Sequence, residues 1–489
     1  MKLLTNLKKN RSYVVILLLT VLYALLLSAN PVGDAYSNAF ASKSGEDMFS
    51  PHHLLYAFYG NIILKLFGFL PFEPMTLLQL ANAVVAGGCL LLIRRMLKRI
   101  HHEESFLCAS VLFCGASFGF MRFATDNECY IVPLFFCLLS IYYLQVFLFF
   151  FSMSRLLKAA VAISFGCLFH QLSVIAWLCV FGVIVFNRNK KYPLAFLAVS
   201  LIVPICYFVA TFSIFGSASL SDTVAFALTD YINGTAQMPQ AKQVVLLSLV
   251  SLVRTFVQLH GYMFEFAKSN IVLTVVVLAG VATLIVFAIM KTKKNTLRNL
   301  ILFQERRFVR MLWVYLILTF GFAAFSNGNA EFMIAIPFIL VLLYSYYFSQ
   351  SKNLLYLSCA MLLWNVYFGL YPQASQRLTP NEDIAELCRQ NPNAVFVLKD
   401  KNVVENIYLY KYGKQNLPTL YREDKYSEQQ YLKDKSNGKT IITDLVSAEE
   451  TLGRAKLTSH ATFDFSQVKN RQTLFEFSSC KCKRTVCKL

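Results

Sequence analysis

Charged residues are scarce in this chain of 489 residues: they make up 15% of the sequence, against 56% hydrophobic residues. A soluble domain carries about a quarter charged residues. The composition therefore excludes an ordinary soluble protein and predicts one that uses the bilayer as its solvent. Acidic residues are scarcer than basic ones. The chain has 27 Asp and Glu residues and 46 Lys and Arg residues, which gives a formal net charge of +19.

Nucleotide-binding and metalloprotease motifs are missing as well. The sequence contains no P-loop, no glycine-rich dinucleotide fingerprint and no His-Glu-x-x-His pattern of the zinc proteases. In proteins that bind nucleotides through these motifs, the backbone N–H groups of a glycine-rich loop bind the phosphates. We therefore expect no nucleotide cofactor, and any group transfer would draw its energy from another carrier, such as a lipid phosphate.

Long apolar runs, in contrast, recur along most of the chain. A membrane-spanning helix needs about 17 to 25 mainly apolar residues, and nine segments meet or approach that length. A further block, 157–186, is too long for one span and too short for two full ones, so we predict two short helices that meet near His170. The total is then about eleven passes. The nine segments are 13–29, 75–93, 105–124, 131–151, 193–213, 271–290, 309–326, 332–349 and 353–371.

Lysine and arginine cluster between alternate spans, and this orients the chain. Cations beside spans mark the cytoplasmic side. Their positions predict a cytoplasmic N-terminus and an extracytoplasmic C-terminus. The same positions explain the positive net charge without a nucleic-acid partner. We expect the inner membrane of a bacterium. If the apolar stretch Val244 to Leu259 crossed the membrane, it would place the following cluster of cations on the outer side. We therefore predict an interfacial helix there. The main clusters are Lys2 to Arg11, Arg94 to Arg99, Arg155 with Lys158, Arg188 to Lys191, and Lys291 to Arg310.

The apolar spans stop near Pro372, where a polar segment of mixed composition begins. We expect residues 1–372 to form an all-α polytopic membrane domain with large outer loops at 30–74 and 214–270. Residues 373–489 are expected to form a small soluble α/β domain outside the membrane.

Local sequence patterns support an α/β fold for residues 373–489. Residues 381–390 and 447–455 are typical of helices, and 394–398 and 440–443 are typical of strands. An oxidising compartment would permit disulfides there, but the spacing leaves the pairing open. The outer cysteines are Cys388, Cys480, Cys482 and Cys487.

The first outer loop gathers acidic and imidazole groups just after the first span. Asp34 and Tyr36 lie a few residues beyond the apolar core, and the stretch Glu46-Asp47 is followed by His52 and His53. Inverting transfer of a sugar needs a carboxylate that takes the proton of the attacking acceptor. Such a reaction also needs groups that receive the departing phosphate. Asp34 is suited to the first role, and a solvated turn is the plain alternative.

The order of these residues resembles a known family. Asp34-x-Tyr36, a spacer, and then Gly45 with an acidic pair, an aromatic residue and Pro51 are similar to the first outer loop of the GT-C membrane glycosyltransferases. That superfamily includes the protein O-mannosyltransferases and the aminoarabinose transferases of lipid A. The likeness is greatest over residues 1–190 and implies many spans followed by an outer soluble domain.

The resemblance also implies roles for the acids. In that superfamily the acidic residue soon after the first span is the catalytic or substrate-positioning carboxylate, which corresponds to Asp34 here. Many members have two adjacent acids at this point, whereas this chain has one, so Glu46 or Asp47 stays open as the second carboxylate or the base. The implied partners are a polyprenyl-phosphate sugar donor, membrane lipids and a glycan, lipid or protein acceptor. No cofactor is certain, although a divalent cation occurs in some members.

Further polar groups fall on the outer face. Arg122, Asp126 and Glu128 lie at the outer end of the third span and are similar to the acidic second loop of GT-C proteins. We assign Arg122 to the lipid phosphate, and Asp126 or Glu128 to a sugar hydroxyl or a metal. His170 and Glu331 occupy short outer turns and are candidate substrate ligands. For each group, a structural role in an interfacial turn is the alternative.

Three rival functions remain open. A transporter or flippase would also be basic inside, but it usually carries ionisable groups near the midplane on repeated broken helices, and the sequence shows no repeat. A polysaccharide polymerase or ligase acts on lipid-linked glycans and tends to rely on outer arginines, which are few here. A non-catalytic assembly protein would tolerate mutation of Asp34.

Overall fold

The chain is described by a computed structural model over most of its length. A bundle of apolar helices precedes a five-stranded mixed sheet with flanking helices. The described residues are 10–101, 103–187, 189–232, 241–259, 262–291, 303–348, 352–446, 462–468 and 470–489.

Seven helices in these ranges are long and apolar enough to cross a membrane, and one bent pair, Glu104–Ala116 with Phe118–Ala124, makes an eighth. They coincide with the spans expected from the sequence, since an apolar segment in lipid has to satisfy its backbone within the helix. The chain is a multi-pass membrane protein, and the total of eleven passes stays a prediction. The seven are Pro74–Lys98, Ile131–Phe150, Lys191–Phe215, Ile271–Met290, Glu305–Phe325, Ala330–Tyr347 and Asn353–Ser375.

Shorter helices complete the apolar region. Arg11–Leu25, Gln171–Val185 and Val244–Phe256 are apolar but have fewer than 18 residues, and the last lies where we expect an interfacial helix. In chain order the helices are α1 (Arg11–Leu25), α2 (Gly33–Ser44), α3 (Tyr56–Phe67), α4 (Pro74–Lys98), α5 (Glu104–Ala116), α6 (Phe118–Ala124), α7 (Ile131–Phe150), α8 (Met153–Phe169), α9 (Val174–Val185), α10 (Lys191–Ser200), α11 (Ile202–Phe215), α12 (Leu220–Ala227), α13 (Thr229–Ile232), α14 (Ala241–Phe256), α15 (Tyr262–Ser269), α16 (Ile271–Met290), α17 (Phe303–Phe325), α18 (Ile336–Tyr347), α19 (Lys352–Asn365) and α20 (Tyr371–Ser375).

The apolar block around His170 is broken as the sequence predicts. Helix α8 ends at Phe169, His170 has an extended backbone with φ of −160°, and a 3-10 turn leads into α9. The His170 ring stabilises the turn because Nδ1 accepts the N–H of Leu172 at 3.0 Å. Two short helices therefore meet at this residue.

The part from residue 373 onward, for which we predict a soluble domain and which we call the soluble part, contains a sheet with the strand order β2-β1-β3-β5-β4. The first three strands are parallel and the last two form an antiparallel hairpin. The helix expected at 381–390 and the strands expected at 394–398 and 440–443 are present, while 447–455 lies outside the described residues. Cys388, Cys480, Cys482 and Cys487 are free thiols. The elements are α21 (Asn381–Gln390), β1 (Val395–Leu398), α22 (Lys401–Tyr412), β2 (Thr419–Arg422), α23 (Glu428–Ser436), β3 (Ile441–Thr443), β4 (Gln472–Ser478) and β5 (Lys483–Lys488).

Helix α2 follows the first span in sequence but packs against the soluble part in space. Its residues Ala35, Tyr36 and Phe40 are buried in one apolar core with Phe396 of β1. Asn406 of α22 donates a hydrogen bond to the carbonyl oxygen of Gly33 at 3.0 Å. The predicted boundary near residue 372 thus divides the sequence, while α2 packs across it.

Gly328 lets the turn before Glu331 pass close to α14. Its φ is +66°, and a Cβ there would lie 2.6 Å from the backbone of Leu247 and Ser248. We expect Gly328→Ala to lower the free energy of unfolding by about 2 to 5 kcal/mol, since it adds left-handed strain and a backbone clash. Thermal unfolding of the detergent-solubilised protein measures this loss.

Gly216 provides the matched control. Its φ of +72° is close to that of Gly328, but the space around the position of a Cβ is open. Gly216→Ala should therefore cost only the backbone term of about 1 to 2 kcal/mol. Equal losses in the two variants would show that the close approach to α14 does not matter.

Candidate active site

Asp34 lies in the first turn of α2. Its side chain is exposed and has no hydrogen-bond or ion-pair partner among the described residues. Protein nevertheless surrounds it on several sides, and this burial raises the pKa of the Asp34 carboxyl, as does the nearby Glu331. An accessible carboxylate with an elevated pKa and no partner is suited to accept a proton.

The loop 125–130 carries the acids Asp126 and Glu128. One buried side-chain amide binds the backbone of this loop, which we call the acidic loop. Asn82 of α4 donates from Nδ2 to the carbonyl oxygens of Asp126 at 2.8 Å and Glu128 at 2.9 Å. Its Nδ2 also lies 3.1 Å from the hydroxyl of Tyr56. Burying an amide costs free energy unless it is hydrogen-bonded, so these contacts favour one conformation of the loop.

The same loop is bonded to the start of α2. The Asp126 carboxylate accepts the N–H of Val32 at 3.3 Å, and Asn127 Nδ2 donates to the carbonyl oxygen of Ala35 at 2.9 Å. Tyr56 donates in turn to Asn127 Oδ1 at 3.0 Å. The residues on both sides of Asp34 are therefore held by the loop.

Four carboxyl groups share this region. Burial raises the pKa of Asp126 to about 6, although the N–H groups of Asn127 and Val32 oppose the shift. Burial also raises the pKa of Glu128 well above its usual range, and Glu331, Asp126 and Asp34 add to that increase. Close carboxylates disfavour each other's ionisation. The structure thus brings together the acids from the first, second and later outer turns.

Glu331 reaches this region from the turn between α17 and α18. Its carboxylate accepts the hydroxyl of Tyr130 at 2.8 Å, and its N–H donates to Asn329 Oδ1 at 3.2 Å. Tyr130 also packs beside His170, with ring centroids 5.1 Å apart. Glu331 is therefore oriented by a residue of the acidic loop.

The other acids of the first outer loop lie elsewhere. Glu46 and Asp47 both form ion pairs with Lys414, at 2.9 Å and 3.0 Å, and all three side chains are exposed. Tyr36 donates its hydroxyl to Glu382 at 2.7 Å. These contacts join α2 and the following turn to the soluble part.

The imidazoles form a row beside Cys129. The ring centroids of His52 and His53 are 5.8 Å apart, and those of His53 and His170 are 5.0 Å apart. Cys129 Sγ lies 3.5 Å from His53 Nδ1. This row lies next to the acidic loop, since Cys129 and Glu128 are consecutive.

Arg122 ends the bent span one turn before the acidic loop. Its guanidinium lies over the ring of Phe123, 5.3 Å from the centroid. Arg122 stabilises the ionised forms of Asp126 and Glu128, but its side chain makes no ion pair within the described chain. A cation in this position can stabilise a bound anion.

Several residues of the site were not singled out in the sequence. Asn82 lies inside an apolar span, and a buried amide in such a run signals a required partner. Tyr56 and Tyr130 follow candidate residues closely, yet only the fold shows that their hydroxyls hold the loop and Glu331.

Comparison with solved structures identifies the architecture. No family model matches the chain, and no curated protein sequence matches it significantly. The Archaeoglobus fulgidus oligosaccharyltransferase in complex with Zn and sulfate aligns with a TM-score of 0.51 at 11% identity, over 88% of this chain and 68% of its own. The complex of the archaeal oligosaccharyltransferase AglB from the same organism with an inhibitory peptide and a dolichol-phosphate gives 0.50 at 12%, over 90% and 70%. The chain has the fold of the GT-C glycosyltransferases.

The GT-C likeness expected from the first outer loop is thus confirmed for the fold. ArnT from Cupriavidus metallidurans in the apo state covers 97% of both chains at 10% identity, with a TM-score of 0.42, which is too low to support further argument. Sequence identities this low show a shared fold and no shared activity. Any reaction has to be argued from the residues of this chain.

One group of metal-ligating side chains lies beside the acidic loop. Among the described residues, His53, Cys129 and His170 have possible ligand atoms within 4.8 Å of one another, and Zn²⁺ accepts such ligands. His170 does not fit, because Nδ1 accepts the Leu172 N–H, which leaves the proton of the neutral ring on Nε2. We therefore derive no step through a metal.

The elevated pKa of Asp126 predicts a pH-dependent stability. An ordinary aspartate has a pKa of about 3.9, so the unfolded chain loses this proton at lower pH than the folded one. The contribution of protonated Asp126 is present below about pH 4 and is lost as pH rises through about 6. Asp126→Asn stays neutral and should gain about 2 kcal/mol relative to wild type between pH 4.5 and 7.

Thermal unfolding of both proteins at the two pH values measures this difference. Glu476→Gln, which neutralises an exposed carboxylate on β4, is the control and should follow wild type. A wild-type-to-variant difference that is the same at pH 4.5 and pH 7 would contradict the shift.

Proposed function

We propose that this protein is an integral membrane glycosyltransferase of the GT-C type that transfers a sugar from a polyprenyl-phosphate donor to an acceptor on the extracytoplasmic face. The observation that carries the proposal is the exposed, unpartnered carboxylate of Asp34, next to Glu331 and the acidic loop. A carboxyl group held near other acids and open to solvent is what a proton-accepting base requires.

Asp34 acts as the base or orients the acceptor. The acceptor hydroxyl or amine gives its proton to the Asp34 carboxylate while its oxygen or nitrogen attacks the anomeric carbon. The bond between that carbon and the phosphate oxygen breaks, and the polyprenyl phosphate leaves with the electron pair. A single displacement of this kind inverts the anomeric configuration.

The neighbouring groups have supporting roles. Glu331, Glu128 and Asp126 accept hydrogen bonds from sugar hydroxyls, and His52, His53 and His170 line the same side. Arg122 receives the charge that develops on the departing phosphate, because a positioned cation stabilises a developing anion most where water is partly excluded. Tyr36 supports α2 through Glu382.

The acceptor belongs to one of four classes: lipid A, a surface polysaccharide, a lipid carrier or a protein. The soluble part contacts α2 directly through Asn406 and Glu382, so we assign acceptor selection to it. We further propose a bacterial inner membrane location with a cytoplasmic N-terminus and a periplasmic soluble part, from the distribution of Lys and Arg.

A transfer assay in membranes tests the role of Asp34. Radiolabelled polyprenyl-phosphate sugars are supplied to membranes that contain wild type or Asp34→Asn at equal expression. We expect Asp34→Asn to reduce label transfer by about 100- to 10,000-fold, the usual contribution of a general base. The variant should be at least as stable as wild type at neutral pH, since Asp34 has no partner to lose and its pKa is raised in the folded protein.

The double variant Glu46→Gln/Asp47→Asn tests whether the base lies in the Glu46–Asp47 turn. Asp424→Asn, which changes a half-buried acid of the soluble part that pairs with Arg422, is the control. Loss of transfer in the double variant with full activity in Asp34→Asn would move the base to the Glu46–Asp47 turn. No transfer by wild type from any donor would favour a transporter.

A further inference from the structure

A large apolar cavity, with a volume of about 290 Å³, lies between helices α5, α17, α18 and α19. Tyr344 and Tyr347, in the last turn of α18, form part of its wall. The cavity therefore lies toward the end of α18 that is opposite to Glu331, and it is separate from the candidate active site. The rest of the wall is aromatic and aliphatic and includes Phe113, Trp313, Leu340 and Leu354.

Water is not the natural occupant of such a cavity. A buried water molecule needs about two to four polar partners. Two polar groups of the wall already bind each other, because Trp313 Nε1–H donates to the hydroxyl of Tyr347 at 3.2 Å. An apolar cavity of roughly 150 Å³ is large enough to bind benzene. A hydrocarbon chain is therefore the class of ligand that matches both the size and the wall of this cavity.

The cavity opens to the surface of the helix bundle beside Trp313. The Trp313 side chain lines the cavity and is at the same time 43% exposed. Tryptophan and tyrosine side chains are enriched where the hydrocarbon core of a membrane meets the head groups. An acyl chain can therefore enter the cavity from the bilayer beside the Trp313–Tyr347 pair, while its head group stays at the membrane surface.

The surface next to this opening is positively charged. Arg310 precedes Trp313 by three positions on α17, Arg306 precedes Arg310 by four, and both arginine side chains are exposed. Residues three or four positions apart are neighbours on one face of a helix, so Arg306, Arg310 and Trp313 form a row. The acid of this segment, Glu305, is buried. The exposed charge beside the opening thus complements an anionic head group.

We propose that this cavity binds an acyl chain of an anionic phospholipid, whose phosphate contacts Arg310 and Arg306. The cations place this end of α17 on the side that we predict to be cytoplasmic, and anionic lipids of that leaflet attract basic residues beside spans. A ligand that binds only the folded state stabilises it. The bound lipid therefore stabilises the packing of α5, α17, α18 and α19, whatever reaction the outer face catalyses.

Native mass spectrometry of the full chain in detergent tests the head-group contact. The protein is titrated with dioleoyl phosphatidylglycerol and with dioleoyl phosphatidylcholine, which have the same chains but differ in net charge. Wild type should bind phosphatidylglycerol more tightly. Arg310→Met should weaken that binding about 5-fold, the usual contribution of one basic residue near anionic lipid, and leave phosphatidylcholine binding unchanged. Arg155→Met, which removes an exposed arginine of α8, is the matched control.

The variant Leu354→Trp tests the cavity itself. The larger side chain occupies part of the cavity and should weaken the binding of both lipids about 10-fold, the effect of displacing roughly two methylene groups. Leu355→Trp, at the neighbouring exposed position, is the control and should bind as wild type does. Thermal unfolding of the two tryptophan variants establishes that both are folded.

Several results would overturn the proposal. Wild type could bind the two lipids equally, or Arg310→Met could bind phosphatidylglycerol as tightly as wild type does. Unchanged lipid binding by a folded Leu354→Trp would exclude the cavity. A wild-type dimer that binds neither lipid would assign this surface to a second copy of the chain. If Leu354→Trp does not fold, the comparison of Arg310→Met with Arg155→Met decides.

Discussion

The hydrogen bonds of one buried amide nitrogen, Asn82 Nδ2, underlie the arrangement of the candidate site. Burying an amide inside a membrane helix costs free energy unless its polar atoms are paired. Asn82 Nδ2 donates to two carbonyl oxygens of the acidic loop, whereas Asn82 Oδ1 is buried without a partner among the described residues. The loop then holds the start of α2 through Asp126 and Asn127. The position of Asp34 is thus set by a membrane helix that it does not contact through its own side chain.

The second support of α2 comes from the soluble part. One face of the helix is buried with the core of the sheet, and Asn406 and Glu382 bind its backbone and side chains. A reactive carboxylate on a helix held from both sides is more precisely placed than one on a free loop. The first turn of α2 is thus joined directly to α22 of the soluble part.

Groups of both charge signs lie in one region of the site. Four carboxyl groups come together beside the start of α2, and Arg122 is near enough to Asp126 and Glu128 to stabilise their ionised forms. In the transferase that we propose, carboxylates favour cationic character at the sugar carbon and the cation favours the departing anion.

The sequence by itself determined the membrane class, most of the spans, the break at His170 and the α/β character of the C-terminal part, and it supplied the set of candidate acids. These follow from hydropathy, from cations beside spans and from local periodicity, which act over a few neighbouring residues. Only the tertiary structure decided which of those acids share one region. It separated Asp34 from Glu46 and Asp47, which pair with Lys414 some 370 positions away, and it revealed Asn82. Such pairings depend on how distant segments pack, and neither the hydropathy of a span nor the spacing of a motif contains that information.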